Sequence, residues 1–571
     1  MEKECIMVKQ VVSIGVQSFE MIRKNHSFYV DKTELIREWW ESQDIVTLLT
    51  RPRRFGKTLN LSMLECFFSK QYQGRSDLFE GLSVWKDEKY RNLQGSYPVI
   101  FFSFANIKGK TYEAAREGFY QILLKLYGKF SFLREAGFLS PQDIEYFDSI
   151  KLNMTEVTAV FSLHSLSDYL SRYYGKKVLI FLDEYDTPLQ EAYIYGYWDK
   201  LISFIRSFFN ASFKTNPYME RAFMTGITRI SKESIFSDIN NLEVVTTTSF
   251  KYCTMFGFTE EEVDQALCAF QMEDKREKVK EWYDGFTFGN KKDIYNPWSI
   301  TNLLDKRKLK TYWVNTSSNR LMSKLIQEGT ADVKIIMEDL LEGKSFLSVI
   351  DEEVVFDQLD QNDEAIWSLF LASGYLKVDE LPKENWDEDG EDIFYSLSFT
   401  NLEVRKMFRK TIQTWFSQPN AHYNDFVKAL LANDVEYMNR FINQVTLTVF
   451  SSFDVGNRPS KQSEPERFYH GFVLGLMADS KIDYWITSNR ESGFGRYDVM
   501  MEPKNKKDPA YILEFKVHEA GKEANLEDTV KMALKQIEEK NYDAVLMKKG
   551  IEKERIYHYG FAFEGKRVLI G

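Results

Sequence analysis

The chain has 571 residues, which is too long for one hydrophobic core and suggests about three or four domains. Its hydrophobic content of 44% and charged content of 28% are those of an ordinary globular protein. The net charge of −11 excludes a generally basic, nucleic-acid-coating surface but not a local basic groove. No apolar run reaches the roughly 18 residues that span a bilayer, and no signal peptide is recognisable, so we expect a cytoplasmic protein with no membrane partner.

A basic turn between a short apolar run and a helical pattern carries the first chemical motif. The turn, Arg51–Thr58, ends in Gly-Lys-Thr, as phosphate-binding loops do. In such a loop Lys57 would reach the β- and γ-phosphates of ATP, and the Thr58 hydroxyl would bind Mg²⁺. The nucleotide would contact Arg53, Arg54, Phe55, Gly56, Lys57 and Thr58. Arg51 stands where the usual pattern has glycine, so a basic turn that caps an ordinary helix is the alternative interpretation.

A second motif supplies the carboxylates that such a loop needs. The apolar run 178–182 predicts a central parallel strand that is buried on both faces. Asp183 and Glu184 follow at its C-terminal end, where ligands bind in open α/β sheets. We expect Asp183 to hold Mg²⁺ through water and Glu184 to polarise the attacking water. The alternative is a buried strand that ends in an acidic turn.

Two further apolar runs predict strands of the same sheet, at 98–104 and 221–228. The second ends in polar residues at the position of a γ-phosphate sensor, which makes Thr225, Thr228 and Arg229 candidates. Hydrogen bonding at a strand end and a surface ion pair are an equal alternative for these residues. Helical patterns between the strands complete a doubly wound parallel-sheet α/β domain, which we place at residues 1–255.

Several stretches resemble the AAA-ATPase-like family: Ser18–Glu20, Phe28–Thr33, Arg51–Thr58, Leu182–Asp186, Thr225–Ile230, Tyr283–Phe286, Tyr295–Ser299 and Tyr312–Thr316. The phosphate loop of that family reads Arg-Pro-Arg-Arg-Phe-Gly-Lys-Thr, so the resemblance implies that Arg51 is a family trait. We expect the three arginines of the loop to contact phosphate or an interface. Arg53, Arg54 and Arg229 would act within one chain or across a homo-oligomer. Residues alone predict only turns between helices at 284–285 and 296–297.

The middle of the chain predicts two smaller modules. Thr259 with Glu262 three residues later is a capping-box pattern, which starts a helical lid over residues 256–345. A helix that stops at Gly374, a β-ribbon and another helix then indicate a winged-helix-like module at 346–420. The acidic wing of this module would repel DNA, which favours a spacer role over a DNA-binding role.

A second acidic set follows in the C-terminal part, residues 421–571, along three predicted strands at 484–488, 496–501 and 510–517. Strand alternation puts Glu514 and Lys516 on one side of the sheet, and a hairpin would bring Asp498 beside Glu514. Two carboxylates suit Mg²⁺, with Mn²⁺ as an alternative, and the metal would activate water for attack on a phosphate. Lys516 would orient that water or neutralise developing charge.

Two residues on neighbouring helices extend this set. Glu466 would be a further metal ligand, and Gln536 would position the nucleophile or the phosphate. Together these pieces resemble the PD-(D/E)xK nuclease superfamily, an α/β restriction-endonuclease-like fold. Related nucleases have Tyr four residues after the Gln, whereas Tyr542 comes six after Gln536, which leaves its role open. A solvated strand face with an ion pair is the alternative interpretation.

Three functions are compatible with these motifs. The first is an ATPase whose nucleotide state gates a Mg²⁺-dependent nuclease acting on nucleic acid, with a defence or mobile-element role by analogy of domain combination. The second is a nucleotide-dependent interaction switch whose nuclease-fold domain binds without cleaving. The third, an ATPase acting on protein substrates, is less favoured because no pore-loop signature is present.

Overall fold

The structure is a computed structural model that describes residues 11–228, 235–236, 239–313, 321–322, 325–326, 331–351, 363–380, 394–415, 424–449, 473, 484–492, 495–518, 521, 523–564 and 567–571. The chain divides into two compact units. The first is Met1–Leu321 with Ser345–Val404, and the second is Met322–Lys344 with Arg405–Gly571. The four-part division expected from sequence has other boundaries and stays a prediction. Within the described ranges, no helix combines the length and apolar character that crossing a membrane requires.

A five-stranded parallel sheet organises the first unit. Its strands are β1 (Val46–Thr50), β2 (Val99–Ser103), β3 (Val178–Asp183), β4 (Met219–Gly226) and β5 (Leu242–Val245). Their order in the sheet is β2-β3-β4-β1-β5, and every pairing is parallel. The chain moves one way from β1 to β2 and the other way afterwards. Because such crossovers are right-handed, the connecting helices fall on both faces of the sheet, which confirms the doubly wound α/β class.

The helices around this sheet are α1 (Phe19–Lys24), α2 (Glu34–Ser42), α3 (Lys57–Phe68), α4 (Glu88–Leu93), α5 (Tyr112–Lys129), α6 (Phe132–Glu135), α7 (Pro141–Ser149), α8 (Glu156–Tyr174), α9 (Thr187–Tyr195) and α10 (Trp198–Phe209). An aromatic core fixes the face that carries α2 and α3. The fully buried Trp39 ring contacts Phe68, Phe181 and Phe223 at centroid distances of 5.6, 5.7 and 5.7 Å. The indole N–H of Trp39 donates to Thr47 Oγ1, so burial of this polar group is compensated.

An extension follows the sheet, with helices α11 (Glu260–Ala269), α12 (Arg276–Tyr283) and α13 (Pro297–Lys306) and strands β6 (Phe286–Phe288) and β7 (Lys291–Ile294). The capping box of Thr259 and Glu262 is present at the start of α11, as predicted. The β6–β7 hairpin corrects the expectation of simple turns between helices. Phe286 and Phe288 alternate with a polar residue, and Gly289 follows them at φ 54°. This short pattern is typical of a β-hairpin, but the helical patterns on either side made it hard to recognise.

A small antiparallel sheet completes the first unit. After helix α14 (Ala331–Glu342), which belongs to the second unit, the chain passes through strand β8 (Phe346–Val349), helix α15 (Asp363–Ala372) and strands β9 (Leu376–Glu380) and β10 (Phe394–Phe399). Helix α16 (Leu402–Trp415) begins in the first unit and continues in the second. The strand order is β8-β10-β9. Gly374, at φ 83°, follows α15, so the predicted order of helix, glycine stop, ribbon and helix is found.

A mixed sheet organises the second unit. Helices α17 (Asn424–Leu431) and α18 (Val435–Val449) precede strands β11 (Tyr484–Ser492), β12 (Gly495–Pro503) and β13 (Ala510–Val517). Helices α19 (Leu526–Lys540) and α20 (Asp543–Lys548) and strands β14 (Ile556–Glu564) and β15 (Arg567–Ile570) follow. The strand order follows the chain, with β13 and β14 parallel and the other pairs antiparallel. One apolar core joins the sheet to α17 and α18, and another joins its opposite face to α19 and α20.

Two asparagines of α18 cover the edge strand β15. The Asn439 amide donates to the Ile570 carbonyl and accepts from the Ile570 N–H, both at 2.8 Å. Asn443 makes the same pair of bonds to Val568, at 2.6 and 2.9 Å. The two residues lie one helical turn apart, so their amides replace the neighbouring strand that β15 lacks on this side.

We expect Asn439→Ala to loosen this edge, because the Ile570 backbone groups would lose both partners. The loss should destabilise the unit by about 2 kcal/mol. Hydrogen exchange of the peptide containing residues 567–571 should quicken in this variant. Glu436→Ala, at an exposed position of the same helix, is the matched control and should leave the exchange rate unchanged. Equal rates in the two variants would show that the amide does not hold the strand.

Candidate functional site

The strand order brings the first predicted site together. Strand β4 lies between β1 and β3, so its C-terminal end meets both the loop before α3 and the end of β3. The Thr58 hydroxyl donates to Asp183 Oδ2 at 2.7 Å, and the Thr225 hydroxyl donates to Asp183 Oδ1 at 2.6 Å. Asp183 is only 2% exposed, and burial raises its pKa although both hydroxyl bonds act in the opposite direction. A buried carboxylate with a threonine hydroxyl at its side is a donor set that suits Mg²⁺.

Lys57 is folded back on its own loop. Its ammonium donates to the carbonyl oxygens of Arg51 and Pro52, both at 2.8 Å. Burial lowers the pKa of Lys57 to about 8, although the carboxylates of Glu184 and Asp183 raise it. The ammonium is therefore held beside the site by neutral acceptors, which an anion would outcompete.

Glu184 turns away from the strand direction immediately after Asp183. Its φ of 53° is left-handed, an uncommon conformation for a residue other than glycine. Its N–H donates to Thr225 Oγ1 at 3.4 Å, and its Oε2 accepts from Thr187 Oγ1 at 3.1 Å. The half-buried Glu184 therefore lies at the same sheet edge as Asp183.

Asp186 ties the ends of β3 and β4 together, a role that sequence reasoning missed. Its Oδ2 accepts from the backbone N–H groups of Ile227 and Thr228, at 2.9 and 3.1 Å, and from Thr228 Oγ1 at 3.1 Å. Thr228 is buried, and the role that these contacts show is to hold the strand end. A Cβ at Gly226 would lie 2.5 Å from the Tyr185 ring, so glycine permits this close approach. Arg229 lies outside the described residues.

Arg51 stands where the usual phosphate loop has glycine, and its side chain is buried in the protein interior. The fully buried guanidinium donates to the carbonyls of Thr50 and Thr246, at 2.9 and 2.5 Å, and lies 4.4 Å from the Phe288 ring centroid. A further bond of 3.5 Å reaches the Lys251 carbonyl. The expectation that all three loop arginines contact phosphate or an interface is therefore wrong for Arg51. The Arg51 guanidinium instead donates hydrogen bonds to backbone carbonyl groups and contacts an aromatic ring.

The extension packs against the loop through Phe55. The Phe55 ring contacts Phe286 and Phe288 of the hairpin at centroid distances of 4.7 and 5.4 Å. Gly257 also lies against Phe55, since an added Cβ there would come within 3.1 Å of the ring. Phe55 is 1% exposed, so it anchors the loop and does not itself present a surface for a nucleotide.

Two further loop residues are held by the segment after the hairpin. The Arg53 carbonyl accepts from Trp313 Nε1 at 2.9 Å and from Asn296 Nδ2 at 3.4 Å. The exposed Arg54, at φ 65°, places its guanidinium 4.5 Å from the Trp298 ring centroid. The predicted turn at 296–297 is therefore part of the support of the phosphate loop, which no local sequence signal indicated.

A buried glutamate connects this support to helix α16. Glu403 is 1% exposed and accepts from Ser299 Oγ at 2.8 Å and from the Trp313 N–H at 2.7 Å. Trp313 thus joins the Arg53 carbonyl to the first turn of α16 through its two nitrogen donors.

The second predicted site forms where β12 and β13 pair. The ladder runs to Val499 opposite Leu513, and Asp498 and Glu514 are the next residues on the two strands. Asp498 Oδ2 accepts from the Phe515 N–H at 2.8 Å. Glu514 is 2% exposed and accepts a hydrogen bond from Gln536 Nε2 of α19. The structure therefore brings together Asp498, Glu514 and Gln536, as the sequence predicted.

Tyr542 belongs to this second site, although its spacing left its role open. Gln536 Nε2 lies 3.4 Å from the Tyr542 hydroxyl. Burial raises the pKa of Tyr542, the hydrogen bond from Gln536 opposes this shift, and the charges of Glu514 and Asp498 act in the same direction as burial. Gly560 of β14 pairs with Glu514, and a Cβ there would lie 2.8 Å from the Val530 carbonyl. Its missing side chain lets α19 approach the sheet and deliver Gln536.

The remaining predicted residues are only partly placed. Lys516 is half-buried and follows Glu514 by two positions on β13, so it faces the same side of the sheet. Glu466 lies outside the described residues. Asp498 and Glu514 offer the oxygen ligands that a hard cation prefers. In the described part of the chain, no group of three or more His, Cys, Asp or Glu could hold a metal.

Comparisons with known proteins find two family matches in this chain. Residues 13–236 match the family model described as "Predicted AAA-ATPase". Residues 464–571 match the model of the PD-(D/E)XK nuclease superfamily. The two matches cover the phosphate loop with Asp183 in one case and Asp498, Glu514 and Gln536 in the other.

Two individual proteins are also similar. The chain is 25% identical over 547 residues to an "Uncharacterized protein in vnfD 5'region" of Azotobacter chroococcum mcd 1, covering 94% of this chain and 93% of that protein. A solved structure of the Aeropyrum pernix ORC2 protein, in ADPNP-ADP complexes, matches at 10% identity, covering 72% of this chain and 97% of the other. The TM-score of this match is 0.22. The two family matches show that an AAA-ATPase-like segment precedes a PD-(D/E)XK nuclease superfamily segment in this chain.

Proposed function

We propose that this protein binds and hydrolyses ATP and that its nucleotide state gates a divalent-cation-dependent nuclease in its second unit. The observation that carries the proposal is the contact of Asp183 with both Thr58 and Thr225. Three separate elements supply these residues, and an ordinary helix cap needs no such convergence. A role in defence or mobile-element biology rests on domain combination and stays a prediction.

The residues of the first unit divide the ATPase chemistry among them. Lys57 exchanges its carbonyl acceptors for phosphate oxygens, which are stronger partners for an ammonium. Thr58 and Asp183 hold Mg²⁺, which when bound neutralises phosphate charge. Glu184, beside Asp183 at the strand end, orients and deprotonates the attacking water. Arg53, Arg54, Gly56 and Arg229 complete the proposed nucleotide contacts, and the buried Phe55 and Thr228 hold the backbone of the site.

The residues of the second unit supply the proposed nuclease chemistry. Asp498 and Glu514 hold the divalent cation, Mg²⁺ or Mn²⁺, with Glu466 as a third proposed ligand. Such a cation supplies an activated water and stabilises the phosphate in the transition state. Lys516 neutralises charge that develops on the phosphate. Gln536 and Tyr542 keep the Glu514 carboxylate oriented.

The support of the phosphate loop favours gating. The loop is held by Trp313, and Trp313 is held by Glu403 in the first turn of α16. A shift of the loop on nucleotide binding therefore acts on the segment from which the chain continues into the second unit.

A nucleotide-dependent switch with a non-cleaving nuclease-fold domain is the alternative function. It is favoured by the net charge of −11, because the substrates of a nuclease are polyanions. Binding of nucleic acid without cleavage, in the presence of ATP and either Mg²⁺ or Mn²⁺, would support this alternative.

Lys57→Ala should weaken ATP binding by about 100-fold or more, because charge-assisted bonds to two phosphates are lost. Titration with a fluorescent ATP analogue measures the affinity. Lys125→Ala, at an exposed position of α5, is the matched control and should bind like the wild type. Retained affinity in Lys57→Ala would contradict the site.

ATP binding should take up protons at alkaline pH. Lys57 has a pKa of about 8 in the free protein, and a bound phosphate raises it. At about pH 9 the free amine is mostly neutral, so binding should take up nearly one proton, whereas at about pH 6.5 this group should contribute none. Calorimetry in buffers of different ionisation enthalpy measures the uptake.

Lys57→Arg is the control for this proton uptake, because a guanidinium stays charged at both pH values. The difference between wild type and variant isolates the contribution of Lys57 from that of ATP and other groups. Equal uptake at about pH 9 would show that Lys57 is already charged in the free protein.

Asp498→Ala and Glu514→Gln should each lower any Mg²⁺- or Mn²⁺-dependent cleavage by about 100-fold or more, because each removes a proposed metal ligand. The assay uses single- and double-stranded DNA and RNA, with and without ATP. Glu538→Gln, at an exposed position of α19, should cleave like the wild type. Wild-type protein that cleaves none of these substrates, or variants that cleave equally, would reject the nuclease.

A further inference from the structure

Arg53 presents its side chain to helix α9. Its guanidinium donates to Gln190 Oε1 at 3.2 Å, while its carbonyl is fixed by the Trp313 indole at 2.9 Å. The backbone of this residue thus belongs to the support of the loop. The side chain extends instead toward the sheet edge where β3 ends and α9 begins.

The amide of Gln190 has a determined orientation. Its Nε2 donates to Asp186 Oδ2 at 3.0 Å. That carboxylate also accepts from the N–H groups of Ile227 and Thr228, so it is an acceptor and requires the nitrogen end of the amide. The oxygen end is therefore left facing Arg53. Gln190 joins the phosphate loop to the clamped ends of β3 and β4.

The Arg53 side chain reaches the sheet edge that carries the proposed catalytic carboxylate, because it bonds Gln190 and Gln190 bonds Asp186. Burial is the main cause that lowers the pKa of Lys57, and the positive charge of Arg53 acts in the same direction. Gln190 lies six residues after Glu184 on the element that directly follows the proposed catalytic carboxylates. In phosphate-loop sites the γ-phosphate lies between the loop lysine and those carboxylates.

We propose that Gln190 is a positioning residue that holds Arg53 in the orientation in which its guanidinium meets the γ-phosphate of ATP. The bond to Gln190 uses one of the five N–H donors of the guanidinium, so Arg53 binds the phosphate while it stays on Gln190. ADP offers no γ-phosphate and makes no use of the positioned guanidinium. The pair therefore makes the protein discriminate ATP from ADP, an inference that rests on the proposed nucleotide binding.

A double-mutant cycle tests this relay, in which Gln190 acts on ATP binding through Arg53. The affinities for ADP and for a non-hydrolysable ATP analogue are measured on wild type, Arg53→Ala, Gln190→Ala and the double variant. The preference is the ratio of the affinity for the ATP analogue to the affinity for ADP. It should fall about tenfold in Arg53→Ala and about threefold in Gln190→Ala, while the ADP affinity stays unchanged. Because Gln190 acts through Arg53, the double variant should be no worse than Arg53→Ala alone. A purely structural role would lower both affinities and would add to the effect of Arg53→Ala.

Two controls complete the experiment. Gln121→Ala, the same substitution at an exposed position of α5, should leave the preference unchanged. Thermal unfolding shows whether each variant is folded. An unchanged preference in Gln190→Ala, or additive losses in the double variant, would overturn the relay. If the wild type binds neither nucleotide, the proposed function itself fails, and that outcome is distinct from a wild type that binds ATP and ADP equally, which overturns the relay alone.

Discussion

The buried carboxylate of Asp183 is the constraint on which the first unit depends. A charge at 2% exposure is costly unless donors surround it, and here two threonine hydroxyls supply the bonds. The donors come from the phosphate loop and from β4, so the carboxylate is satisfied only when the strand order is correct. The same interaction therefore stabilises the fold and assembles the proposed metal site.

The phosphate loop is stabilised by contacts with distant parts of the unit. Most such loops use glycines to approach phosphates, whereas this loop carries three arginines and a phenylalanine. Arg51 donates hydrogen bonds to backbone carbonyl groups, and Phe55 packs against the hairpin of the extension. Because these contacts replace the conformational freedom of glycine, the loop is coupled to the extension more directly than a glycine-rich loop would be.

The second unit orients its acidic residues by a related means. Glu514 is buried in the sheet and receives the Gln536 amide from a helix that approaches closely over Gly560. Asp498 receives a backbone N–H from the neighbouring strand. In both units, neutral donors orient a buried carboxylate, which leaves its negative charge available for a cation.

The sequence by itself determined the residue types of both candidate sites, because hydrophobic runs, turn residues and carboxylates at strand ends are local signals. Asp183, Thr58, Asp498 and Glu514 were all identifiable in this way. Only the tertiary structure decided that Asp186, Gln190 and Trp313 hold the loop and that Tyr542 joins the second site. These contacts link residues that are 4 to 260 positions apart in the chain. A periodic sequence pattern does not indicate which donor binds which acceptor. The residue types were visible in the sequence, but their partners follow from strand order and from the packing of helices on the sheets.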